Sequence, residues 1–280
     1  MVSLMFKNVF MSSVTLLLGV TLVFATNDVE VINSKIIKEG TFGSKSYRIN
    51  YKGGEDGESI ISPWHDIPLK NDNGDGNYNM VVEIPKMTTA KMEIATKEKN
   101  NPIAQDLTKK GTIRDYHGPI FWNYGCIPQT WEDPNVLHPQ LNIIGDNDPI
   151  DLVEIGSAVL GMGSVKEVKV LGALAMIDDG ELDWKVIVLA TDDPLADQYN
   201  DIDDVPDVVK SGIREWFRWY KTPDNKALNR FGFDEKYITR QEAIDVIEET
   251  HVAWKKLKAG MTSPDKLWVG ETTDSFASDL

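Results

Sequence analysis

Apolar and polar positions alternate with a period of two through several short runs of this chain, then shift to a helical period towards its end. "MVVEIP" at 80–85 and "AKMEIAT" at 90–96 predict short strands, as do "EVKVLGALAMI" from Glu167 and "WKVIVLA" from Trp184, with Gly- and Asp-rich turns between them. Val209, Ile213, Trp216, Phe217 and Tyr220 recur at helical spacing, and Thr222-Pro223 stops that run. Thr239 and Glu242 form a capping box ahead of Ile244, Ile247, His251 and Trp254, which share one helical face. Strands first and helices late predict an α+β, mainly β protein.

The strand alternation also fixes which charged residues meet. Lys91 and Glu93 fall on one strand face with Met92 and Ile94 on the other, and Glu83 joins the first face if its strand keeps step. Asp183 and Lys185 share a face at the start of another strand, just after the acidic turn holding Asp178. The turn "GDNDPID" at 145–151 crowds Asp146, Asp148 and Asp151 together and stiffens the chain with Pro149. Such a cluster is cheap only if water reaches it freely or a cation neutralises it. A hard divalent ion such as Mg²⁺ meets the second condition and brings phosphate ligands with it. Taken alone, each pattern is equally that of a solvated acidic turn or a half-exposed strand.

Composition narrows the partners. Hydrophobic residues make up 41% and charged residues 26% of 280, a globular balance, and the formal net charge of −15 argues against nucleic acid or an anionic membrane as partner. One cysteine, Cys126, and four histidines supply neither a disulfide nor a Cys/His zinc cluster, so a metal would be held by oxygen. Cys126 is expected to be a packed side chain, and "KNDNGDGN" lacks the acids of a calcium loop and is expected to be a surface turn.

The N-terminus reads as a leader over 1–25: Lys7, an apolar core, then Ala25 at the exit of a secretory signal, which would send the protein to the secretory pathway or outside the cell. An uncleaved membrane anchor, a mitochondrial presequence and an uncleaved cytoplasmic form are the alternatives, although no Arg precedes Arg48 and no Asn-x-Ser/Thr sequon is present. Nothing divides the remainder, so 26–280 is expected to be one domain.

"MVVEIPKMTTAKMEIA", "NYGCIPQTWEDPN", "GDNDPIDLVEIG", "DDGELDWKVI" and "EWFRWYKTPDNK", in that order, resemble the soluble inorganic pyrophosphatases of the eukaryotic type. The resemblance implies a five-stranded OB-like β-barrel flanked by helices, a homodimer, and Mg²⁺-dependent hydrolysis of pyrophosphate by direct in-line attack of a metal-activated water. It assigns Glu93, Asp146, Asp151, Asp178 and Asp183 to the metals, and Asp148 to the role of general base. Lys91, Arg114, Tyr124, Lys185, Tyr220 and Lys221 match the residues that bind the two phosphoryl groups. Tyr124 and Glu83 complete the catalytic positions, Glu83 in a supporting role.

One stretch departs from the family pattern. "HGPIFWNYG" carries an extra residue, and Ile120 stands four positions before Tyr124 where a second tyrosine is common. A hydroxyl near the leaving phosphate is therefore expected to be missing. Two other classes compete with the resemblance: an exported Ca²⁺-binding protein without catalysis, and a glycosyltransferase with a D-x-D metal site, for which no nucleotide-binding Gly-rich unit is present.

Overall fold

A closed ring of strands organises the chain, whose computed structural model describes residues 35–54, 56–71 and 74–270. The leader at 1–25 and part of the turn at 71–79 lie outside the described residues. In chain order the first strands are β1 (Lys35–Glu39), β2 (Arg48–Gly53), β3 (Ser59–Ile61), β4 (Tyr78–Ile84), β5 (Thr88–Ala90), β6 (Met92–Ile94) and β7 (Ile103–Gln105). There follow β8 (Asp115–Ile120), β9 (Asn123–Cys126), β10 (Asp151–Glu154), β11 (Val165–Asp178), β12 (Glu181–Ala190), helix α1 (Asp207–Trp219), β13 (Arg230–Phe231) and helix α2 (Arg240–Lys258).

β12, β10, β9, β4 and β11 are hydrogen-bonded in that order, and β11 pairs back onto β12, so five strands close on themselves. This is the OB-like barrel that the resemblance implied. Closure removes the exposed edges that short strands would otherwise present. The β11–β12 hairpin turns on Asp179 and Gly180, both at positive φ (49° and 101°), the Asp-Gly pairing that matches strand twist. β10 and β12 run parallel, which places Asp151 directly opposite Lys185.

Ring strands are buried on both sides. Val81, Val153 and Ile187 join one apolar cluster, while Met80, Val82, Leu152, Val186 and Val188 join another. α1 gives Ile213 and Phe217 to the first, and α2 divides its face between the two, with Trp254 and Leu257 in the first and Ala243 and Ile247 in the second. The Thr239–Glu242 capping box is present. Trp219 is exposed, whereas Cys126 is buried and unpaired by any disulfide.

The run expected as one strand over 90–96 is two, β5 and β6, broken at Lys91. Lys91 leaves the ladder because its N–H donates to the Arg114 carbonyl (3.1 Å) and its own carbonyl accepts from Asp106 N–H (2.9 Å). That detour fixes the backbone beneath two cationic side chains.

Candidate active site

The ring ends converge on one cavity, and every residue assigned above lines it: Glu83, Lys91, Glu93, Arg114, Tyr124, Asp146, Asp148, Asp151, Asp178, Asp183, Lys185, Tyr220 and Lys221. Asp151 opens β10, Asp178 closes β11, and Asp183 and Lys185 lie on β12. Glu83 sits where the β4–β9 register shifts between Val82 and Ile84, a bulge that re-aims its side chain to accept from Ile94 N–H at 2.7 Å.

The turn carrying Asp146 and Asp148 is held from behind. Asn147 adopts φ 75°, a conformation that asparagine tolerates, and its Oδ1 accepts from the Trp131 indole at 3.0 Å. Asn147 N–H donates to the Glu132 carbonyl (3.0 Å), and Glu132 N–H donates to the Asp148 carbonyl (2.9 Å). Gly145 makes this approach possible, because a Cβ there would lie 2.5 Å from the Glu132 backbone. Asp148 N–H donates to Asp146 Oδ1 at 3.0 Å, so the turn also braces itself.

Inside the cavity each cation meets carboxylates. Lys185, 2% exposed, bonds Asp151, Asp183 and the Tyr124 hydroxyl, and Tyr124 in turn donates to Asp151. Lys221 and Tyr220 both donate to Asp178, and Lys91 donates to Glu93. Burial works against the charge of Lys91, but Glu93, Tyr116 and Asp106 together raise its pKa. The carboxylates behave oppositely. Burial, then the charges of Glu93 and Asp151, push Asp148 up to about 7, although the residue keeps a surface open to water. Burial likewise lifts Asp183 to about 7 against the opposing pull of Lys185. Asp146 rises for the same reason, helped by Asp183 and Asp148.

Comparison with known proteins decides the family. The inorganic pyrophosphatase family model matches residues 80–255. The chain is a member of the inorganic pyrophosphatase family. Its likeness is to the soluble eukaryotic type: it is 48% identical over 238 residues to soluble inorganic pyrophosphatase 1, chloroplastic, of Chlamydomonas reinhardtii, covering 84% of this chain and 83% of the relative. With the inorganic pyrophosphatase of Eremothecium gossypii it shares 51% over 216 residues, 74% of this chain and 75% of that one. Among solved structures, the type I inorganic pyrophosphatase of Toxoplasma gondii superposes with a TM-score of 0.75 at 47% identity, covering 80% of this chain and 99% of that chain. The Schistosoma japonicum inorganic pyrophosphatase superposes at 0.80 with 41% identity, covering 85% and 86%.

Three further residues of this pyrophosphatase, beyond those its motifs assign, belong to the site. Glu132 lies inside the quoted "QTWEDPN" run, and its carboxylate stands with those of Asp146 and Asp183, one ligand oxygen from each within 4.8 Å of the others. Its Oε1 accepts from Trp184 N–H (3.0 Å), while Oε2 is buried without a hydrogen-bond partner. Asp106 takes Arg114 at 2.9 Å and Lys91 at 3.1 Å, tying two assigned cations to one carboxylate. Tyr116 lines the same cavity, and Ile120 is wholly buried in the core.

The raised carboxylates give the pyrophosphatase a definite response to pH. Asp148 and Asp183 hold protons in the fold up to about 7 that the unfolded chain releases near 3.8. Native protein therefore binds more protons than unfolded protein between those values, and stability falls as pH rises through that window. In a chelator, the melting temperature is expected to be higher at pH 5.5 than at pH 7.5. A flat or rising profile across that interval would contradict the buried-acid cluster.

Proposed function

We propose that the chain hydrolyses inorganic pyrophosphate to two orthophosphates in a Mg²⁺-dependent reaction, with Asp148 as general base. The observation that carries this reading is the interleaving of carboxylates with Lys91, Arg114, Lys185 and Lys221 around one cavity in a chain of this family. An all-oxygen donor set suits a hard cation, and two buried carboxylate oxygens there, Glu132 Oε2 and Asp178 Oδ1, have no hydrogen-bond partner among the described residues. Glu132, Asp146 and Asp183 fit one such ion, and Glu93, Asp151 and Asp178 stand ready for others. Magnesium bound to them would supply Lewis acidity towards water and positive charge against the phosphates.

The chain's own groups account for the rest. Lys91, Arg114, Lys185, Tyr220, Lys221 and Tyr124 bind the phosphoryl oxygens, screening the charge that repels a nucleophile and holding the leaving group in line with the direct attack of water. Each of these except Arg114 is hydrogen-bonded to a carboxylate assigned to metal, so binding pyrophosphate would draw these ammonium and hydroxyl groups to phosphate and leave the carboxylates that would hold the cation. Asp148, open to water and poised near neutrality, accepts the proton of the attacking water. Burial and then Asp151 raise the Glu83 pKa, and its Oε1 braces β6 by accepting from Ile94 N–H. Tyr124 orients Asp151.

The same reading carries a leader over 1–25, a single catalytic domain over 26–280 and a homodimer. Export is the destination the leader's apolar core and Ala25 favour; two relatives are named chloroplastic, which adds an organelle to the alternatives. Among the described residues no helix is long and apolar enough to cross a membrane.

Phosphate release from pyrophosphate by protein beginning at Thr26 tests the reaction. Release is expected with Mg²⁺ and abolished by EDTA. Folded protein that binds Ca²⁺ or Mg²⁺ yet releases no phosphate would overturn the reading in favour of a cation-binding protein.

A further inference from the structure

The sequence places Ile120 where a tyrosine hydroxyl was expected, and the structure shows that Ile120 faces away from the chemistry: it is 0% exposed within the apolar core. Its carbonyl accepts from Met87 N–H at 2.6 Å, which pins this strand against β5. No side chain at 120 reaches the cavity in this register. Four residues earlier on the same strand, Tyr116 does line it.

Tyr116 is firmly placed. Its ring meets Trp216 edge-on at 5.0 Å and Tyr220 at 5.8 Å, and the Trp216 indole is itself fixed by donating to the Pro119 carbonyl at 3.2 Å. Pro119, on the same strand as Tyr116, thus supplies the acceptor that fixes the indole against the Tyr116 ring. The hydroxyl is in a different condition from the two other cavity tyrosines. Tyr124 is committed to Asp151 and Tyr220 to Asp178, whereas the Tyr116 hydroxyl makes no hydrogen bond among the described residues. It shares the cavity with Lys91, Lys185, Asp151 and Glu93, and the charges of all four act on it.

We infer that Tyr116 is a substrate-binding residue whose hydroxyl donates a hydrogen bond to a phosphoryl oxygen of pyrophosphate held between Lys91 and Lys185, replacing the hydroxyl absent at position 120. This rests on the pyrophosphatase reading and adds a contact to it. A neutral phenol is suited to the place: it adds a donor without adding charge and gives up no internal bond to do so. Burial pushes its pKa upward, so it stays a donor throughout the neutral range.

Tyr116→Phe isolates the hydroxyl, since the ring packing on Trp216 and Tyr220 is retained. Calorimetric titration of methylene diphosphonate, a non-hydrolysable analogue, in Mg²⁺ is expected to show binding about tenfold or more weaker than in the parent protein, with an unchanged melting temperature. A matching fall in kcat/KM for pyrophosphate is expected. Parent-like analogue affinity and kcat/KM in the Phe variant would overturn the inference while leaving the pyrophosphatase reading intact. Weakening that follows a fall in melting temperature makes Tyr116 a packing residue and also overturns it. A parent protein that neither binds the analogue nor hydrolyses pyrophosphate overturns the functional reading, and this contact with it.

Discussion

Asp148→Asn is expected to lower turnover by about 10²–10⁴-fold at saturating Mg²⁺ and pyrophosphate, the range for loss of a positioned general base. The substitution is nearly isosteric, and Thr96 Oγ1, which donates to Asp148 Oδ1 at 3.3 Å, finds the amide oxygen in the same place. Local geometry should therefore survive. Loss of a carboxylate held up to about 7 by burial and by the charges of Glu93 and Asp151 also removes a source of strain, so chelated protein is expected to melt no lower than the parent at neutral pH. Phosphate release and thermal unfolding measured together check both halves. Full turnover would remove Asp148 from the role of base. A large drop in melting temperature would mean that the loss of activity reports on folding.

Lys185→Met is the substitution with the largest expected cost to the fold. Its ammonium is the shared partner of Asp151 and Asp183, and the three meet where the parallel strands β10 and β12 close the ring. Taking away one member of a buried ion network leaves unpaired charge, which costs roughly 3–5 kcal/mol. Asp183 softens that cost at low pH by holding a proton, so destabilisation is expected to be greater at pH 8 than at pH 5. Urea unfolding at the two pH values reads this directly. A midpoint that matches the parent at pH 8 would show that the carboxylates do not depend on Lys185.

Much of this site could be read from the chain because a two-residue strand period places side chains without knowledge of the fold. Asp183 with Lys185 needed only that rule, and Lys91 still meets Glu93 although the strand breaks at Lys91. The barrel was not legible in that way. Ring strands such as β12 are buried on both sides, and "ELDWKVIVLA" shows a continuous apolar run where a half-exposed strand would alternate. Closure follows from long-range register, and only the resemblance pointed to it. Glu132 and Tyr116 escaped for related reasons. Glu132 reaches Asp146 and Asp183 because Gly145 allows two loops to touch, and Tyr116 lines the cavity from β8, a separate strand from the β9 that carries Tyr124. The break at Lys91 was hidden because its backbone partners, Arg114 and Asp106, lie well downstream.

The parallel seam between β10 and β12 has a consequence for how the protein is made. β12 is the last ring strand to leave the ribosome, and until it docks beside β10, Asp151 has neither Lys185 nor the neighbourhood of Asp183. Catalytic competence is thereby tied to a parallel, non-local pairing, which forms more slowly than the local β11–β12 hairpin that carries β12 back to β10. A refolding chain should regain strand structure first and phosphate release only with final closure, which makes the enzyme's own activity the reporter of a completed barrel.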